Sequence, residues 1–182
     1  MKRSIFFKIF SGYFLIICVL SGLILIFSFR IIRNNYINLL SNNLKTLAIT
    51  VKQNIIPFLA NLDFQKLDAF VKRLGKEINT RITVIDAEGI VLADSEEDPN
   101  LMENHKNRPE IKQALKGEVG RSLRFSTTVK EEMLYVALPI KIQNETTGVL
   151  RVSLFLKDIN NLLSELKIKI LQIVLILSLI HI

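Results

Sequence analysis

The sequence predicts an α+β protein: a five-stranded antiparallel sheet with long N-terminal helices on one face, framed by two transmembrane helices. Three observations carry this. Each end of the chain holds an apolar run, residues 37 to 78 repeat apolar positions at helical spacing, and at Arg81 the period drops to two and stays there until Leu156.

The chain has 182 residues, 49% of them hydrophobic, and a mean hydropathy of +0.34, too apolar for an ordinary soluble domain. No charged residue occurs from Ile9 to Phe29. At about 1.5 Å rise per residue that stretch spans roughly 31 Å, enough to cross the hydrocarbon core. Met1, Lys2, Arg3 and Lys8 would also suit a secretory leader, but Phe27-Ser28-Phe29-Arg30-Ile31 offers no pair of small residues for cleavage, so an uncleaved anchor is expected. From Ile170 to Ile182 a second apolar run covers about 20 Å and reads as part of a second membrane helix, which makes the chain a fragment of something longer. The Lys/Arg bias across the first span is weak, Lys2, Arg3 and Lys8 against Arg30 and Arg33. The region between the spans is placed outside the cytoplasmic membrane because two spans bracketing a domain suit a receptor. Residues 1–30 are thus the cytoplasmic start and first span, 31–157 the extracytoplasmic domain (helical over 31–79, sheet core over 80–157), and 158–182 the exit helix and second span.

Beyond the first span, Ile37, Leu40, Leu44, Leu47 and Val51 recur at three and four residues, a seam that either packs on its own domain or forms a dimer interface. Pro57 is expected to interrupt it. A second amphipathic helix follows, with Leu62, Leu67, Phe70, Val71, Leu74 and Ile78 on one face and Asn61 or Asp63 as its cap. Ile82 with Val84, and Val91 with Leu92, form two short strands around the turn Asp86-Ala87-Glu88-Gly89. Asp94 to Asn100 is a polar loop; Pro109 opens a short helix that runs to about Lys116 and ends at Gly117. Strands are expected over 119–125, 133–140 and 147–156, with polar turns at 126–132 and 143–146 that make neighbours antiparallel. Asp158 is placed to cap a last helix in which Ile159, Leu162, Leu163, Leu166, Ile170 and Ile173 recur.

In the last two strands Leu134, Val136, Leu138, Leu150, Val152 and Leu154 form a purely aliphatic face that must meet the helices. The opposite face is mixed, with Tyr135, Arg151 and Ser153, and Arg121 is taken to alternate in phase with it.

The stretch from Arg81 to Ser95 (RITVIDAEGIVLADS) resembles the opening hairpin of extracytoplasmic PAS-like domains of the single Cache or PDC class. MENHKNRPEI from Met102, ALKGE from Ala114, LYVALPI from Leu134 and GVLR from Gly148 follow in the same order. The set is similar in particular to the sensor region of PhoR-like membrane histidine kinases, over about residues 80 to 156. The resemblance implies a PAS-like five-stranded sheet, a homodimer, and a second membrane helix leading to a HAMP linker and a kinase that would address a response regulator. Here no phosphoacceptor motif or glycine-rich ATP lid is present, and His181 is followed only by Ile182, so no catalytic role is expected of this chain.

The candidate ligand-binding residues are Arg108, Arg121, Tyr135, Arg151 and Ser153. Arginine forks suit a small anion bearing carboxylate or phosphate, and these side chains could converge beneath residues 104–116. The competing reading pairs the arginines with acids such as Glu110 or Glu118. An extracytoplasmic or membrane protein could equally be the partner. The acidic run Asp86, Glu88, Asp94, Glu96, Glu97, Asp98 and Glu103 lacks the ligand spacing of a calcium loop, so no metal or other cofactor is assigned. His105 reads as exposed. Cys18, the single cysteine, can close no intrachain disulfide. The net charge of +7 comes without a Lys/Arg run or interleaved aromatics, so nucleic acid is not expected as a partner. No nucleophile elbow, phosphate loop or zinc-helix motif occurs.

Overall fold

The structure, a computed structural model, describes residues 5–126, 131–142 and 145–180. The chain divides into two units, Met1–Asn38 and Leu39–Ile182.

The first unit is helical throughout its described length, and most of its described apolar side chains, Ile9, Phe14, Ile24 and Phe27 among them, are exposed. It belongs to α1 (Ile5–Ala60), which contains an 18-residue window of mean hydropathy 2.7. Among the described residues α1 is the one helix long and apolar enough to cross a membrane. The second expected span, 170–182, ends outside them; helix α4 (Lys157–Ile180) occupies most of its range and begins one residue before the expected cap, Asp158.

In the second unit, α1 does not stop at Pro57. The ring removes only the N–H that Gln53 would have used, and the last turn still closes with Asn61 N donating to Pro57 O at 3.2 Å. Leu44, Ala48, Val51 and Ile55 are buried at spacings of three and four, while Leu39 and Ile49 are exposed. Of the seam read from the sequence, Leu44 and Val51 are thus buried within the domain, Ile37, Leu40 and Leu47 are half-buried, and the buried stripe runs on through Ala48 to Ile55. Helix α2 (Phe64–Ile78) starts at Asp63, whose Oδ1 accepts from Lys66 N at 3.2 Å, and ends at Asn79 in the left-handed conformation. It buries Leu67 and Val71.

The strands are β1 (Arg81–Asp86), β2 (Val91–Asp94), β3 (Gly120–Ser126), β4 (Glu131–Ile142) and β5 (Glu145–Phe155), in the spatial order β2-β1-β5-β4-β3, antiparallel at every pairing. The turn between β1 and β2 is set by Asp86, whose Oδ1 accepts from the backbone of Glu88 and Ile90, and by Gly89 at φ 87°, a conformation glycine adopts without Cβ strain. The expected turns after β3 and β4 lie largely outside the described residues. Helix α3 (Pro109–Leu115) matches its expected start and stops at Gly117, φ 88°.

Register assigns the faces. Ile82 and Val84 stand opposite Val152 and Leu150, which in turn stand opposite Val136 and Leu138; all are buried on the helix side. On the other side, Ile85, Val91, Ala137 and Val149 form an apolar cluster with Ile111 and Ala114 of α3. Helix α3 approaches β3 so closely that a Cβ at Gly120 would overlap the Glu110 carbonyl oxygen.

Candidate functional site

Below that apolar cluster the same sheet face turns polar. Thr83, Arg151 and Ala137 lie side by side across β1, β5 and β4, as do Arg81, Ser153 and Tyr135 in the next row. Thr83 and Ala137 are small, which leaves width for the Arg151 side chain between them. Arg81, Thr83, Asp94, His105, Glu110, Arg151 and Ser153 are all buried, a concentration of polar groups that burial would penalise without partners.

Two linked networks satisfy part of it. Asp94 accepts from Arg81 Nε at 3.1 Å, from Thr83 Oγ1 at 2.7 Å and from the backbone of Glu96 and Glu97. Arg81 also reaches Glu96 at 3.3 Å. Thr83 Oγ1 accepts from Arg151 Nη2 at 3.0 Å, joining this network to the second. There Glu110 Oε1 lies 3.6 Å from Arg151 Nη1 and 3.3 Å from Arg124 Nη2. Both guanidiniums also contact the Tyr135 ring, with Cζ 5.2 Å and 4.2 Å from its centroid for Arg151 and Arg124 respectively. The Tyr135 hydroxyl donates to Met133 Sδ at 3.3 Å, a weak acceptor.

Arg108 caps α3 and is half-buried, with no side-chain hydrogen bond or ion pair among the described residues. Burial first and the Arg124 charge second push its pKa down, against Glu110, which raises it. Burial likewise lowers Arg151, opposed by Glu110. Two guanidiniums, of Arg124 and Arg151, thus approach the Glu110 carboxylate directly, and the charge of Arg108 also reaches it; Glu103 acts on Arg108 and Asp94 on Arg151 as further acids. His105 is held neutral: burial, then the Arg151 and Arg108 charges, bring its pKa to about 3, outweighing the Glu103 backbone that would raise it. Its backbone N–H donates to Gly89 O at 2.8 Å, and Asn104 Nδ2 to Glu88 O at 2.8 Å, so the loop ahead of α3 is pinned to the β1–β2 turn.

Several buried atoms here have no protein hydrogen-bond partner: Glu110 Oε2, Arg124 Nε, Arg151 Nε and Nη1, and Ser153 Oγ. In a fully satisfied interior such groups are few, and their concentration on one sheet face suits a polar, anionic ligand. No group of His, Cys, Asp and Glu suited to a metal occurs among the described residues.

Of the residues singled out from the sequence, Tyr135, Arg151 and Ser153 share this face and Arg108 stands over it. Arg121 does not. It is paired with Val136, hence on the helix side of the sheet, where its Nη2 donates to Asn42 Oδ1 of α1 at 3.0 Å and its side chain is exposed. Arg124, opposite Met133, takes the place expected of it. The signal was present: Leu123 and Phe125 alternate with Arg121, and apolar residues of that parity belong with the aliphatic face. His105, read as exposed, is 2% exposed because the Gly89 bond draws its loop inward.

A twisted antiparallel sheet with N-terminal helices on one face and a short helix over a polar patch on the other defines the PAS-like sensor class. Residues 59–154 match the Single Cache-like family, and the chain belongs to it. No curated protein matches the chain significantly. Among solved structures, the sensory domain of the Campylobacter jejuni chemoreceptor Tlp3 with isoleucine bound is similar at 17% identity and a TM-score of 0.56, over 67% of this chain and 54% of that one. The Escherichia coli DcuS sensor domain is similar at 19% identity and a TM-score of 0.53, over 66% of this chain and 95% of that one. The extracellular domain of the histidine kinase vpHK1S-Z8, itself assigned only provisionally as a kinase, is similar at 14% and 0.53, over 71% and 55%. The chain thus spans about half the length of the chemoreceptor domain it matches. Identities this low speak for the fold alone.

Proposed function

We propose that the chain is the sensory input of a PhoR-like membrane histidine kinase, with its Cache domain outside the cytoplasmic membrane, acting as a homodimer and receiving a small anion on the sheet face beneath α3. The observation that carries the ligand class is the set of buried guanidinium nitrogens without a hydrogen-bond partner, Arg124 Nε and Arg151 Nε and Nη1, in a setting where burial magnifies charge. Anchoring by α1 is supported by its apolar, exposed N-terminal part. Helix α4, which starts two residues after β5 ends, is the proposed route of output as a second membrane helix. A small shift of β5 would reach α4 without an intervening loop.

The same fold would serve a chemoreceptor or a cyclic-dinucleotide enzyme, and the coding sequence that follows Ile182 separates these outputs. A HAMP segment with a phosphoacceptor helix and an ATP-binding domain is the expected finding; a methyl-accepting or cyclase output would overturn the kinase assignment. A thermal-shift screen of the purified chain in micelles tests the ligand class. Small anions are expected to raise the midpoint, since a ligand bound only by the folded state stabilises it. A screen in which no anion does so favours a protein-interaction module.

A further inference from the structure

Resting on the anion-site reading above, we infer that Glu110 is a tethered occupant of the arginine site: its carboxylate stands where the signal's anionic group binds, and the incoming anion must displace it. The pairing is poorly formed for a structural salt bridge. Both guanidiniums approach the same oxygen, Oε1, at 3.3 Å and 3.6 Å, while Oε2 has no protein partner. Arginine forks engage carboxylates best through two parallel bonds at shorter distances. Here Arg151 Nε and Nη1 and Arg124 Nε remain without protein acceptors, although all are buried. One carboxylate on a short tether therefore occupies a site with more donors than it can use.

The neighbours point the same way. Arg108, two residues before Glu110, has no ion pair among the described residues yet lies close enough to Arg124, Glu110, Tyr135 and Glu103 to feel each of them. The Tyr135 hydroxyl rests on a thioether and could donate to a stronger acceptor. An oxyanion with two charges, or with three acceptor oxygens, would satisfy groups that Glu110 leaves unpaired.

Displacement has a mechanical consequence. Glu110 is wholly buried, and its backbone carbonyl sits over Gly120 in a contact too close for any Cβ. With the backbone of Glu110 packed on β3, an incoming anion must be accommodated by turning the Glu110 side chain away from the arginines or by lifting the first turn of α3. Either change alters the packing of α3 on the sheet, which is how occupancy would be read.

The test uses the full chain in detergent micelles, titrated calorimetrically with sulfate and with propionate, the free counterpart of the Glu110 side chain. Removing the competitor in Glu110→Gln is expected to tighten sulfate binding at least tenfold over the unaltered chain, and adding Arg108→Gln to reverse the gain. Circular dichroism verifies folding; should Glu110→Gln fail to fold, Glu110→Asp, which draws the carboxylate back by one methylene, is expected to tighten binding in the same direction. Unchanged or weaker binding in the Glu110 variants, alongside weaker binding in Arg108→Gln, would overturn the tethered-occupant role and leave the anion site standing. A gain that Arg108→Gln does not reverse places the anion elsewhere and overturns the role too. If neither the unaltered chain nor any Glu110 variant binds either anion, the anion site itself falls.

Discussion

Replacing Arg151 with Met separates a buried charge pair that matters from one that is merely adjacent. The guanidinium donates to Thr83 Oγ1 at 3.0 Å and lies 3.6 Å from Glu110 Oε1, and both Arg151 and Glu110 are buried. Removing one member of such a pair costs about 3–5 kcal/mol, because the other is left charged and desolvated. Two features reduce this. Arg124 remains 3.3 Å from the same oxygen, and the burial of Arg151 Nε and Nη1 without protein acceptors is relieved. The expected loss is about 2–3 kcal/mol. Replacing both Arg151 and Glu110 with Met removes both charges but leaves Arg124 without its carboxylate, so the double variant should lose less than the sum of the two single losses, by about 1–2 kcal/mol. Urea unfolding of the chain in micelles, followed by circular dichroism with the m-value unchanged, gives the comparison. If the two single effects add to the double within about 0.5 kcal/mol, the two charges do not interact in the folded protein and the reasoning fails.

Gly120→Ala should destabilise by about 1–3 kcal/mol or more, since its Cβ would overlap the Glu110 carbonyl oxygen and neither backbone can yield cheaply; the same unfolding assay measures it. Arg121→Ala should change stability by less than about 0.5 kcal/mol and leave anion binding intact, because the side chain is exposed on the opposite face. His105 gives a pH dependence of definite sign. Its folded pKa, about 3, lies below the ordinary 6.5, so between those values the unfolded state binds more protons and stability falls as pH falls. The slope from this group is at most about 1.4 kcal/mol per pH unit. In His105→Gln that contribution should vanish, flattening the difference between pH 6.5 and 4 measured by urea unfolding; an unchanged acid limb would show that the ring already protonates in the folded state.

Much of the fold could be read from the sequence because its signals are local. The change of period at Arg81, the turn at Asp86 to Gly89 and the proline that opens α3 each act within a few residues, and the structure has elements at all three. Pro57 misled because a proline disturbs the helix one turn back, at Gln53, and leaves the carbonyls beyond it able to accept, so α1 runs on to Ala60 before it ends. The site was legible in β4 and β5, where alternation alone puts Tyr135, Arg151 and Ser153 on one face. It failed in β3, where Arg121 and Arg124 differ by an odd number of residues: the shared parity of Leu123 and Phe125 puts Arg121 with the aliphatic face, and the pairing of Arg124 with Met133 turns Arg124 toward α3. His105 was missed for another reason: nothing local buries it, and the bond from its amide to Gly89 joins residues 16 apart.

Hydrogen exchange of the full chain in micelles, with and without sulfate and a set of small carboxylates, tests most directly whether the polar face beneath α3 receives an anion. An anion that binds there should slow exchange at residues 102–116 and at 149–153 of β5, with Arg108→Gln abolishing the effect. Protection confined to other parts of the chain, or absent with every anion, would contradict the account.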